Sequence, residues 1–285
     1  MLLLLFVLPF YDDSVRIRHS GATDSKWSHS DQKHWPSECT GDRQSPINID
    51  KPDAIPRTCN GPRCEVKPIL LRNYWRRFKT APHLINKGYT VSMNIPEVMC
   101  GKKPHITGAL LKGNYIAEEL HFHWGSANSN GAEHTINHRR YKAEMHIVHR
   151  RDKNDTSYNG DGDELAVLAI FLEKGNVTHG LSKLFDKMTL VRAYHTETEM
   201  CPTCSLWRLL GYIHTKSFYT YRGSLTTPGC HETVSWIVLK RPMRVSPSLL
   251  SYLWNLRNEK GARIHDNYRR EQPVNHRDVI SFGGE

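Results

Sequence analysis

A chain of 285 residues, 38% hydrophobic and 24% charged, has the composition of a globular protein with a sizeable core, and this excludes a disordered polypeptide. The formal charge of +10 implies a basic surface with weak attraction for acidic polymers or lipid headgroups, but it names no ligand. No nucleic-acid fold signature accompanies the basic-aromatic run Tyr74-Trp75-Arg76-Arg77-Phe78-Lys79, which reads as a solvated strand end rather than a nucleic-acid contact.

The chain starts with Met1-Leu-Leu-Leu-Leu-Phe-Val-Leu-Pro-Phe10, the length of a signal-peptide apolar region and too short to span a bilayer. A basic leader is missing and Asp12, Asp13, Arg16 and Arg18 precede any small-residue cleavage site, so residues 1–20 read as a partial signal or leader. No later stretch reaches the roughly 20 apolar residues of a transmembrane helix. Residues 20–45 are polar, with Trp27 and Trp35 as the large anchors, and suggest an extended arm. From Ser45 onward short apolar runs alternate with Gly, Pro and Asn turns: 69–71, 90–93, 120–124, 143–149, 165–172 and 234–239. Helical periodicity is strongest over 180–188 and 246–257, where Pro247 sits near a helix start. The pattern predicts a mainly β (α+β) fold in a single domain, residues 21–285, with few, peripheral helices and no internal repeat.

Seven cysteines and the sequons Asn154-Asp-Thr156 and Asn176-Val-Thr178 point to an oxidising compartment, hence a secreted glycoprotein. Cys59 and Cys64 suit a local bridge across a turn. Cys201-Pro-Thr-Cys204 reads as a structural bridge more readily than a redox or metal half-site, which leaves Cys100 unpaired. An acidic loop at Asn159, Asp161, Asp163 and Glu164 misses the calcium-loop spacing.

The histidines carry the sharpest signal. In Glu119-Leu-His121-Phe-His123-Trp124, read as a strand, residues two apart share a face, so Glu119, His121 and His123 lie together. The same arithmetic pairs Glu144 with His146 and puts His149 on the opposite face. Two imidazoles from one strand and one from another match the three-ligand set of a catalytic zinc site, with nitrogen–metal bonds of about 2.0–2.1 Å. Glu144 stands where a carboxylate takes the second ring N–H of His146, and Glu119 has the same relation to His121.

Four blocks then make the chain similar to the alpha-class carbonic anhydrases, of the secreted, extracellular type, along nearly its whole length. They are Arg43-Gln-Ser-Pro-Ile-Asn-Ile49; His121-Phe-His-Trp-Gly-Ser126; Glu133-His-Thr135 with Glu144-Met-His-Ile-Val-His149; and Tyr221-Arg-Gly-Ser-Leu-Thr-Thr-Pro228 with Trp236-Ile-Val-Leu-Lys240. The resemblance implies a large twisted, mostly antiparallel sheet with short peripheral helices. It also implies a monomeric Zn2+ enzyme that hydrates carbon dioxide reversibly to bicarbonate and a proton by zinc-hydroxide attack. By resemblance the ligands are His121, His123 and His146, with Glu119, Glu144 and Asn267 behind them. Thr226 and Glu133 orient the nucleophile, Thr227 contacts bicarbonate, and Val148, Val167, Leu225, Val234 and Trp236 form an apolar pocket for carbon dioxide.

Three departures bear on rate. Tyr89 falls where fast members carry a shuttling histidine, and its ordinary pKa of about 10 is poorly matched to proton transfer near pH 7. His29 falls where many relatives have a tyrosine at the cavity edge, which makes it the candidate for a substitute shuttle. Glu119 stands where relatives often have a neutral glutamine, which makes His121 more basic. The resemblance also implies a disulfide between Cys39 and Cys230, tying the amino-terminal arm to the loop after Thr226-Thr227-Pro228. The rival reading, a scaffold that binds without turnover, is disfavoured because the metal histidines, Glu133 and Thr226 are all present.

Overall fold

The Leu165–Lys174 strand is buried at eight of its ten positions, as expected for a strand covered on both faces. Its odd positions Leu165, Val167, Ala169 and Phe171 enter one apolar cluster, and its even positions Ala166, Leu168, Ile170 and Leu172 enter another. The computed structural model, which describes residues 27–57, 65–155, 163–176, 179–201 and 203–284, builds outward from this strand. No helix among these residues is long and apolar enough to cross a membrane.

Among the described residues thirteen strands form one sheet. Along its main path the order is Glu197–Glu199, His83–Asn86, Val91–Asn94, Tyr115–Trp124, Ala143–Arg151, Leu165–Lys174, Val234–Leu239, Phe218–Gly223, Ile280–Phe282 and Ile55–Arg57. Lys67–Arg72 pairs antiparallel with His105–Ala109, which in turn pairs with Tyr115–Trp124. Met243–Val245 pairs with Leu165–Lys174. Most pairings are antiparallel; Leu165–Lys174 runs parallel to Val234–Leu239 and Met243–Val245, and Ile280–Phe282 runs parallel to Ile55–Arg57. Helices His179–Met188 and Pro247–Trp254 cover one face, through Leu181, Leu184, Phe185 and Met188 and through Leu249, Leu250 and Leu253. The second begins where Pro247 suggests, capped by the Ser246 hydroxyl, which accepts from Leu249 N–H. The amino-terminal arm differs from the extended expectation: the short 3-10 turns His29–His34 and Ser37–Thr40 fold it over Trp35.

Strand alternation is broken once where it matters. Val148 lies opposite Glu119 and His149 opposite Ala117, so the register slips at Glu118. Tyr115 and Ala117 therefore face the helix-covered core, while Glu119, His121 and His123, at the same parity, turn to the other face.

On the core side His149 is fully buried, with Nε2 2.6 Å from the Tyr74 hydroxyl. Burial lowers its pKa to about 3. The unfolded chain binds a proton here below about pH 6.5 and the folded one does not, so this contribution to stability is complete above pH 6.5 and is lost as pH falls toward 3. Between pH 7 and 5 the loss is about 2 kcal/mol. We expect denaturant titrations of a His149→Phe variant to show a slope shallower by that amount over this range. The variant should also lose about 1–3 kcal/mol at pH 7.5, because the Tyr74 hydroxyl is left unpaired. Identical pH slopes in the two proteins would contradict the assignment.

Candidate metal centre

The antiparallel register places His121 opposite His146 and His123 opposite Glu144, so three imidazoles converge from two neighbouring strands. Their ring centroids are 4.7–5.2 Å apart, and one donor nitrogen from each lies within 4.8 Å of the others. Each ring has a partner on the side away from this point. His123 Nδ1 is 2.8 Å from the Asn267 carbonyl, His146 Nε2 is 2.8 Å from Glu144 Oε1, and His121 Nδ1 is 3.2 Å from Glu119 Oε1. The remaining nitrogen of His123, Nε2, is buried with no hydrogen-bond partner, an arrangement that costs free energy unless a cation takes its lone pair. Burial lowers the pKa of all three imidazoles, favouring the neutral form that ligates metal. These residues thus fit a divalent ion of the borderline, nitrogen-preferring kind.

A second group of metal-type donors, His134, Glu144 and His146, adjoins the first. Its lone pairs are already engaged. Glu144 Oε2 accepts from His134 N–H at 2.8 Å, and Oε1 lies 2.7 Å from His134 Nδ1 and 2.8 Å from His146 Nε2. His134 Nε2 continues to the Tyr221 hydroxyl at 2.7 Å, which lies 2.9 Å from Ser45 Oγ. Burial opposes ionisation of Glu144, but the electrostatic and hydrogen-bonding influence of His134 and His146 holds its pKa well below the carboxylate range. This network aims His146. A Glu144→Gln variant is expected to bind metal about 10–100-fold more weakly, checked by competition with a chromogenic chelator; unchanged affinity would make Glu144 a core residue only.

Glu133 is completely buried, and its Oε1 accepts the Arg269 N–H at 2.9 Å. Its Oε2 has no aligned donor. Burial alone would raise its pKa, but His123, His146, the Arg269 amide and the Thr226 hydroxyl keep it below the usual range. An ionised carboxylate only accepts, so the group facing Oε2 must donate. Arg269 is itself held by Gln44 Oε1, Ser45 O and Cys39 O at 2.7–2.8 Å. Gly131, two residues before Glu133, passes so close to the end of the Tyr115–Trp124 strand that a Cβ there would stand 1.7 Å from Gly125 N, which is why this loop needs glycine.

Val148, Val167, Val234 and Trp236 share one apolar cluster, with Leu225 half-buried against it, and the Trp236 ring lies 5.0 Å from that of His146. Thr226 is buried and Thr227 is half-buried on the loop where Cys230 N–H donates to Thr227 O. The Cys39–Cys230 disulfide fastens the arm to this loop across a separation of 191 residues. Cys201 and Cys204 form the second described disulfide, and Cys100 is free and exposed. Cys59, Cys64, Asn159, Asp161 and the leader lie outside the described residues, as does part of each sequon.

His29 is wedged between Trp27 and Trp35, with ring centroids 5.0 and 5.8 Å away and Nε2 buried without a partner. Burial, reinforced by His123, lowers its pKa to about 4, so it is neutral and weakly basic at pH 7. Burial raises the pKa of Tyr89 above its ordinary value. Glu119 is not alone: Lys87 Nζ is 2.7 Å from its Oε2. Although burial opposes ionisation, His121 and Lys87 lower the Glu119 pKa to about 2. Residue types in order did not reveal Lys87 or Arg269, because each reaches the site from a different segment and neither repeats a strand or ligand pattern. His134 and Tyr221 both stand in blocks that carry the resemblance, but the sequence assigns no role to either, because only the fold brings them together.

The eukaryotic-type carbonic anhydrase family model matches residues 24–282. "Carbonic anhydrase 4" of Mus musculus is 32% identical over 98% of this chain and 88% of its own length. "Carbonic anhydrase 6" of Canis lupus familiaris is 35% identical over 98% and 85%, and that of Homo sapiens 34% over 90% and 83%. Because the match runs through every strand that brings a histidine to the centre, the chain belongs to the eukaryotic-type carbonic anhydrase family and is a carbonic anhydrase, a lyase.

Proposed function

We propose that the protein hydrates carbon dioxide reversibly with one Zn2+ held by His121, His123 and His146, and that it works outside the cytosol as a single catalytic domain. The observation that carries the reading is the convergence of three neutral imidazoles, each backed by a hydrogen-bonding or carboxylate partner, on a point where His123 Nε2 has none. Zinc so bound supplies an acidified water, with the pKa of about 7 established for carbonic anhydrases.

The chain's own residues do the rest. The Thr226 hydroxyl is the donor that the unpaired Glu133 Oε2 calls for; once it donates there, its oxygen can only accept from the attacking water, which orients that water's lone pair toward the substrate. Carbon dioxide has no net dipole, and the surface formed by Val148, Val167, Leu225, Val234 and Trp236 takes it without polar clamps. Thr227, on the disulfide-braced loop, contacts bicarbonate. Proton export is the slow step, because burial makes Tyr89 a poorer acid and His29 a poorer base. Two disulfides support an oxidising, extracellular setting.

Stopped-flow carbon dioxide hydration on metal-quantified protein tests this. Activity should vanish with a chelator, return with zinc and rise on addition of an imidazole buffer that carries the proton away. A fully metal-loaded protein without hydration activity would refute the catalytic reading, and a maximal rate indifferent to buffer would refute the export step.

A further inference from the structure

Seven large hydrophobic side chains are exposed among the described residues, and five, Leu70, Trp75, Met99, Trp207 and Tyr212, belong to segments that adjoin in the fold. Backbone hydrogen bonds join these segments. Trp207 N–H donates to Tyr74 O, Met99 N–H to Arg77 O and Lys79 N–H to Glu97 O, and Asn73 Nδ2 reaches Lys102 O at 2.8 Å. The Trp207 and Tyr212 rings lie 6.2 Å apart.

The turn that displays Trp75 is rigidly mounted. Tyr74 and Phe78 are fully buried on either side, Tyr74 against His149 and Phe78 through its N–H to Cys204 O. Trp75 and Met99 nonetheless remain 60% and 65% exposed. Apolar side chains held outward on a fixed backbone are a surface for a partner rather than a frayed loop. The same segments expose Arg72, Arg77, Lys79 and Arg208. The acidic groups beside them, Glu97 and Asp152, stand 3.9 Å from Lys103 and Lys102.

We propose that this face docks on a lipid bilayer rich in anionic headgroups. Cations around the rim meet the headgroups, and Trp75, Trp207 and Tyr212 enter the interface, where an apolar ring with a polar edge is most stable. The combination decides against a sulfated polysaccharide or a nucleic acid, since a polyanion in water gives Met99 and Leu70 nothing to enter. The excess positive charge of the chain supplies long-range attraction of the matching sign.

The test is co-sedimentation of the full-length protein with phosphatidylcholine vesicles, with and without phosphatidylserine. Binding should require phosphatidylserine, weaken with salt and blue-shift tryptophan emission. Trp75→Ala should weaken partitioning about tenfold, and Trp75→Phe should retain most of it. Arg77→Gln and Lys79→Gln should each cost about fivefold. Thermal midpoints should not move, because these side chains are exposed. Three outcomes would overturn the proposal: no binding to phosphatidylserine vesicles; vesicle or heparin binding that depends on the arginines and lysines but not on Trp75; or loss of a dimer, rather than of vesicle binding, in Trp75→Ala.

Discussion

His123→Ala is expected to yield a folded protein that purifies with far less than one zinc per chain and hydrates carbon dioxide no faster than its buffer. His123 is the ligand with the most complete support: its Nδ1 faces the Asn267 carbonyl, and Asn267 also accepts from Trp124 N–H and donates to Tyr89 O. That clamp leaves Nε2 with no use except to bind a cation. Removing a ligand must cost more than the roughly 10–100-fold lost when a ligand's hydrogen-bond partner is removed. Stoichiometric zinc at unchanged affinity in His123→Ala, measured by elemental analysis and chelator competition, would disprove the three-histidine centre.

Thr226→Ala separates orientation from metal binding. Zinc content should stay near one per chain while turnover falls about 10²–10³-fold, the scale for losing one preorganised hydrogen bond in a reacting site. Glu133→Gln should fall in the same direction, because an amide can donate where the buried carboxylate only accepts, which frees the Thr226 hydroxyl to point its proton at the attacking oxygen. Wild-type turnover in either variant, with full zinc, would remove the Thr226–Glu133 pair from the mechanism. A parallel loss of zinc would make it part of the metal support instead.

The Lys87–Glu119 pair changes how the departure at Glu119 is read. From the sequence, Glu119 is an unopposed charge behind His121. In the fold, Lys87 from the turn after His83–Asn86 neutralises it at 2.7 Å, so the electrostatic effect on His121 is smaller than a bare carboxylate would exert. His29 is a similar case. The resemblance implied a place for it at the cavity edge, but its trapping between two tryptophans, which lowers its basicity, depends on how the arm folds.

The chain order alone determined that His121 and His123 share a strand face and that His146 follows Glu144 on another, because side-chain direction in a strand repeats every two residues. It also determined the buried character of Leu165–Lys174 and the start of the Pro247 helix, which rest on local apolar pattern and capping chemistry. Only the tertiary structure decided which strands adjoin, since hydrogen-bonded pairing joins segments far apart in the chain. It also decided which way the histidines turn. A strictly alternating strand would have put Tyr115 and Ala117 on the face of His121 and His123; the slip at Glu118 sends the first two into the core and the imidazoles to the metal centre. A one-residue irregularity of that kind is set by the partner strand across the ladder, and for that reason no local pattern announces it.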